Sequence, residues 1–231
     1  DPDALFEAAQ KEIERKRGIG LGIGRQLYRD RVTDWKSLSE IIKAEPDAKF
    51  ASKDEVRDFT QRTYEQAEAA AAKMVLTPPA GRVVLEPFPE FQQPTGPGGQ
   101  YLPAADDGSR VATYFYRNVT DDLYRASLQN VILHETLPGH HLQVQFLAEH
   151  GRKGNHPVPR LLFFTGPGEG WATYGEDFAQ EIGLYASGRD YIGREMSSIT
   201  PMMVADLGMQ VKGWTAEQAI AYLQEAMPLR P

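Results

Sequence analysis

The sequence predicts an α+β fold, mainly α with one small β-sheet, on three observations. Apolar residues recur at helical spacing in the first and last thirds of the chain. Two capping boxes open long helical patterns, and a proline- and glycine-rich middle interrupts short β-type runs. The three regions are 1–76, helical; 77–120, sheet and loops; and 121–231, helical again.

Taken in order, Leu5, Ala8, Ala9 and Ile13 give an amphipathic helix from Asp3 to about Lys16, which Arg17-Gly18-Ile19-Gly20 is expected to end. A short helix follows from Asp34 through Leu38, Ile41 and Ile42. Ser52-Lys53-Asp54-Glu55 forms a capping box, since the serine hydroxyl and Glu55 can both satisfy orphan amides, and it opens a helix to about Val75. Strands are expected at 82–85 and 111–116. The last of these, taken over 111–117, is expected to be an edge strand able to hold an extended peptide. Gly96-Pro97-Gly98-Gly99 is no phosphate loop, because neither a Lys-Ser/Thr pair nor a helix follows. Helix returns from Asp121 to about Leu137 and resumes after Pro138-Gly139, with a loop near 151–159 behind it. A further helix begins near Gly168-Glu169, with Trp171, Tyr174 and Phe178 as core residues, and the last starts at Thr215, capped with Gln218.

The 231 residues carry a net charge of -7 and 41% hydrophobic residues, which describes a globular protein. The acidic balance lacks the basic patch that nucleic acid requires, and no apolar run is long enough to span a bilayer. With no initiator methionine and a stop just after a helical pattern, the chain reads as a fragment. Zero cysteines remove thiolates as ligands, so any metal must be held by imidazole and carboxylate.

All five histidines fall between positions 134 and 156. His134-Glu135 begins like the zinc-binding HExxH helix, whose histidines grip zinc and whose glutamate is the base, but four residues rather than two precede His140. On an unbroken helix His134 and His140 would point about 240° apart. Pro138-Gly139 can resolve this by bulging the turn. His141 is the competing ligand, in phase with His134 but about 10 Å further along an ideal helix; His140 is favoured. Glu169 is assigned as the third zinc ligand, and Glu176, two turns on, as an acceptor that orients an imidazole N–H. His150 and His156 are read as structural histidines, and Tyr114, Tyr116 and Arg117 as strand residues that would otherwise line a cleft.

Leu133 to Gln143, Glu169 to Glu176 and, more weakly, Lys212 to Ile220 resemble the bacterial family of domain of unknown function 885, placed with the zincin peptidases. The resemblance implies that this is the C-terminal part of the domain. It also implies a gluzincin-like metallopeptidase architecture in one catalytic domain, zinc held by His134, His140 and Glu169, and Glu135 as general base. A peptide substrate follows from it, as does a bacterial protein suited to export. Gln210 stands where the family often has histidine, which keeps a zinc-stabilised peptide-binding module as the alternative.

Overall fold

The computed structural model describes residues 1–105, 107–150 and 165–230. In chain order the helices are α1 (Pro2–Tyr28), α2 (Trp35–Lys43), α3 (Lys53–Met74), α4 (Arg125–Glu135), α5 (His140–His150), α6 (Thr165–Glu181), α7 (Gly188–Glu195), α8 (Thr200–Val211) and α9 (Ala216–Ala226). Strands β1 (Val84–Pro87), β2 (Gly99–Leu102) and β3 (Thr113–Tyr116) lie between α3 and α4 in sequence. The mainly α, α+β class stands. The chain divides into two compact units, one of Asp1–Lys49, Asp122–Ser127 and Tyr185–Pro231, the other of Phe50–Asp121 and Leu128–Leu184.

In the first unit, α1 does not stop at Gly18-Ile19-Gly20 but continues to Tyr28, which corrects the expected end. Its inward face reads Phe6, Ala9, Ile13, Lys16, Gly20, Gly24. A Cβ at Gly20 would sit 3.0 Å from the Trp35 ring, and one at Gly24 only 2.8 Å from Leu38. These glycines therefore serve close approach of α2, and that packing offsets a helix penalty of about 1 kcal/mol each. Asp34 and Ser37 cap α2 reciprocally, and Trp35, Leu38 and Ile42 pack with Val32, Ile192, Met196 and Leu229. A second cluster joins Phe6, Ala9 and Ile13 of α1 to Val204 of α8, with Trp214 edge-on to Phe6 at 5.9 Å. The Thr215–Gln218 capping box opens α9 as its sequence predicts. Helices α7 and α8 are not among the expected elements: α7 is eight residues long and contains Gly188 and Gly193, and α8 has few polar residues to mark an outer face.

In the second unit, the Ser52 hydroxyl accepts the Glu55 N–H at 3.2 Å, while the Glu55 carboxylate reaches back to Ala51 N–H at 2.7 Å, one residue further than a standard box. The sheet order is β1-β3-β2, with β1 parallel and β2 antiparallel to β3. This corrects the reading of 111–117 as an edge: β3 is bonded on both sides, so its main chain has no free edge for a peptide. Strand β2, hidden in the sequence behind Gly96-Pro97-Gly98, is instead an edge of the sheet among the described residues. Tyr114, Tyr116 and Arg117 are buried rather than exposed along a surface. Tyr64 ties α3 to the strands, its hydroxyl accepting Val83 N–H at 3.0 Å, and Leu128, Ile132 and Leu133 of α4 are fully buried. No described helix is long and apolar enough to cross a membrane. The expected loop at 151–159 and His156 lie outside the described residues.

Candidate metal centre

The helix carrying His134 ends at Glu135, and another begins at His140. Between them the main-chain ladder widens. Thr136 N–H bonds Ile132 four residues back, Gly139 N–H bonds Leu133 six back at 3.1 Å, and His141 N–H bonds Thr136 five back at 3.0 Å. Gln143 N–H on Gly139 restores the four-residue step. One turn thus holds two extra residues, the same two by which His134…His140 exceeds HExxH. Pro138 suits the widened turn because it has no N–H to place. Gly139 is the tightest point, since a Cβ there would lie 1.8 Å from the His134 carbonyl oxygen and 2.7 Å from that of Leu133.

Opposite the break lies α6. Its buried face is Gly168, Ala172, Gly175, Glu176 and Ala179, a ridge of small residues interrupted by one carboxylate. A Cβ on Gly175 would come within 3.1 Å of the Gly139 Cα, so the two backbones meet almost directly there. The Trp171 indole N–H is shared between the carbonyls of Pro138 and Gly139, each at 3.2 Å. The expectation that Trp171 and Tyr174 are core residues is corrected, because they are 38% and 53% exposed. They sit off the small-residue ridge, and their rings pack on each other and on Phe178.

These elements bring His134, His140 and Glu169 together, with one ligand atom from each lying within 4.8 Å of the others. The His134 and His140 rings are 4.9 Å apart and nearly perpendicular. His134 Nε2 stands 3.2 Å from Glu169 Oε2, and His140 Nε2 stands 3.6 Å from Glu169 Oε1. Two donors each about 2 Å from a tetrahedral ion would be about 3.3 Å apart. On its other nitrogen, Nδ1, His134 meets the fully buried Glu176 at 2.9 Å. Glu176 thus meets the His134 nitrogen that does not face Glu169, where its spacing puts it.

The charges explain what such a cluster would accept. A neutral imidazole has one N–H and one lone pair, yet each nitrogen of His134 faces a carboxylate. Burial disfavours a charged ring, but the hydrogen bonds to Glu169 and Glu176 and the charges of Glu176 and Glu135 prevail, and the pKa is pushed up to about 9. His140 is held below the usual range by burial and by the charge on His134, which leaves it a lone pair to donate. Three carboxylates around two imidazoles call for positive charge, and a dication on Nε2 of both rings and on Glu169 meets that need. The donor set therefore fits zinc.

His141 is elsewhere. It is fully buried, with Nε2 2.8 Å from the Gly81 carbonyl and Nδ1 2.9 Å from the Tyr101 hydroxyl. Glu135, half-buried at the end of α4, accepts the Tyr101 N–H on Oε2 at 3.0 Å. Tyr101, Gly81 and Trp171 are contacts that spacing alone does not reveal, because they depend on where β2 and α6 pack. His150 is exposed beside Glu149 at 3.8 Å and takes no part in the cluster. If Glu176 orients His134, Glu176→Gln lowers zinc affinity about 10- to 100-fold, read by competition with a chromophoric chelator. Unchanged affinity would show that the carboxylate is dispensable there.

Among solved structures, the chain is similar to a candidate lipoprotein from Colwellia psychrerythraea, with 26% identity and a TM-score of 0.88 over 98% of this chain and 40% of that one. It is also similar in fold to a candidate lipoprotein of unknown function from Shewanella oneidensis, with 21% identity and a TM-score of 0.73 over 98% of this chain and 43% of that one. The chain thus spans less than half the length of either. No curated protein matches it. The model for the bacterial proteins of unknown function DUF885 matches residues 1–231, and the chain belongs to that family.

Proposed function

We propose that this chain is the zinc-site part of a hydrolase that cleaves peptide bonds, with a zincin-like centre. The observation that carries the reading is the convergence of His134, His140 and Glu169 across a turn widened by the two residues that separate this motif from HExxH. His134 and His140 hold zinc through Nε2, and Glu169 holds it through a carboxylate oxygen. Zinc bound there supplies Lewis acidity, polarising a carbonyl and lowering the pKa of water. Glu135, next in sequence to His134, takes the proton of the attacking water on Oε1 and returns it to the leaving amine, while Oε2 keeps the Tyr101 N–H. Glu176 fixes the His134 ring so that Nε2 faces the ion.

A peptide substrate is supported by β2. Its antiparallel partner β3 occupies one side, and the Tyr101 N–H on the other side points to Glu135. An extended chain laid along β2 would run beside the base without using the Tyr101 N–H that Glu135 holds. The relatives' description as candidate lipoproteins supports a place outside the cytoplasm.

Purified protein is expected to carry one zinc per chain by mass spectrometry of the metal, and His134→Ala and Glu169→Ala are expected to lose it. A zinc-free wild type under zinc-replete expression, or variants with full zinc, would overturn the reading. Products from a mixed peptide library then separate a peptidase from a module that binds peptides without cutting them.

A further inference from the structure

The residue after the second proposed ligand is a histidine that faces away from the metal cluster, and its bonds explain why. A carbonyl only accepts, so the contact with Gly81 at 2.8 Å places the proton of His141 on Nε2. The neutral ring then presents a lone pair on Nδ1, and the Tyr101 hydroxyl donates to it at 2.9 Å.

Tyr101 is thereby held at both ends. Its hydroxyl is on α5, through His141, and its N–H is on Oε2 of Glu135, at the end of α4. Two residues earlier, on the same face of β2, Gly99 lies so close to α4 that a Cβ would be 2.6 Å from Val131 Cγ1. Val131 and Glu135 are one helical turn apart. The strand therefore registers on α4 at two points, Gly99 on Val131 and Tyr101 on Glu135, and His141 fastens the outer end of the Tyr101 ring.

We infer that His141 is a positioning residue which, through the Tyr101 hydroxyl, holds β2 so that the Tyr101 N–H fixes the Glu135 carboxylate. The role rests on the reading of Glu135 as the base. It assigns the two adjacent histidines separate work: His140 faces the metal, and His141 sets the strand that orients the base and borders the substrate.

The test uses the whole chain. Tyr101→Phe keeps the ring and the main chain and removes only the hydroxyl. It is expected to retain full zinc while amide hydrogen exchange at position 101 speeds up about 10-fold or more. On a peptide that the wild type cleaves, kcat is expected to fall about 10-fold with KM within about twofold of wild type. His141→Asn, which keeps an acceptor near the Nδ1 position, is expected to preserve exchange protection at 101, and His141→Leu to lose it. Unchanged exchange and unchanged kcat in Tyr101→Phe would overturn the inference. A wild type that holds zinc but cleaves no peptide would reject the hydrolase reading alone; the exchange rate at 101 would then decide the tether, with unchanged protection in Tyr101→Phe rejecting it.

Discussion

Glu135→Gln is expected to hold as much zinc as the wild type and to lose peptide hydrolysis by about 100- to 10,000-fold, the range that a positioned general base contributes. The substitution is nearly isosteric, and Gln can still accept the Tyr101 N–H through its amide oxygen, so β2 should stay in place. What disappears is the ability to take a proton. Since Glu135 is not among the three converging donors, metal content should not change. Steady-state kinetics on a cleaved peptide, with zinc measured on the same sample, checks both halves. Retained turnover would remove Glu135 from the mechanism, whereas lost zinc would mean that Glu135 supports the metal.

The second large effect is expected at Gly139. Adding one methyl group there would place carbon 1.8 Å from the His134 carbonyl oxygen and 2.5 Å from its carbonyl carbon. Backbone atoms of the same turn cannot step aside as a flexible side chain can, and Gly175 closes the other side, its own Cβ position lying 3.1 Å from the Gly139 Cα. Gly139→Ala must therefore open the widened turn, at a cost of about 3 kcal/mol or more. Because His134 and His140 flank that turn, zinc binding should fail with it. Chemical denaturation of the metal-free protein and zinc titration of whatever folds are the two measurements. Normal stability together with normal zinc affinity would show that the turn tolerates a side chain.

Much of the centre is legible in the sequence because it depends on local chemistry. His134-Glu135, Pro138-Gly139 and His140 lie within seven residues, so the mismatch with HExxH could be named, and a bulge required, before any packing was known. Glu169 and Glu176 are seven apart, which fixes them to one helical face whatever that face meets. The caps at Ser52 and Thr215 are likewise short-range. The failures share one cause: the deciding partner is distant. Gly20 and Gly24 look like helix breakers until Trp35 and Leu38 occupy the space beside them. The 113–116 run looks like an edge until β1 and β2 pair with it. Trp171 and Tyr174 match the period of a core face, but the face of α6 that packs inward is made of glycine and alanine. The role of Tyr101 depends on a four-residue strand behind a proline–glycine stretch, which carries almost no signal of its own.

The ridge on α6 ties together properties that sequence change might otherwise vary separately. Glu169, Gly175 and Glu176 lie within eight residues of one rigid helix, so a small roll or slide of that cylinder alters three things together: the carboxylate's reach, the contact at the break, and the hydrogen bond to His134. The charge offered to an ion and the tautomer of the imidazole beside it thus share a single mechanical coordinate. A change that tilts α6 should act as one dial on the whole centre, so substitutions far along this helix can detune it without touching any of the donor atoms.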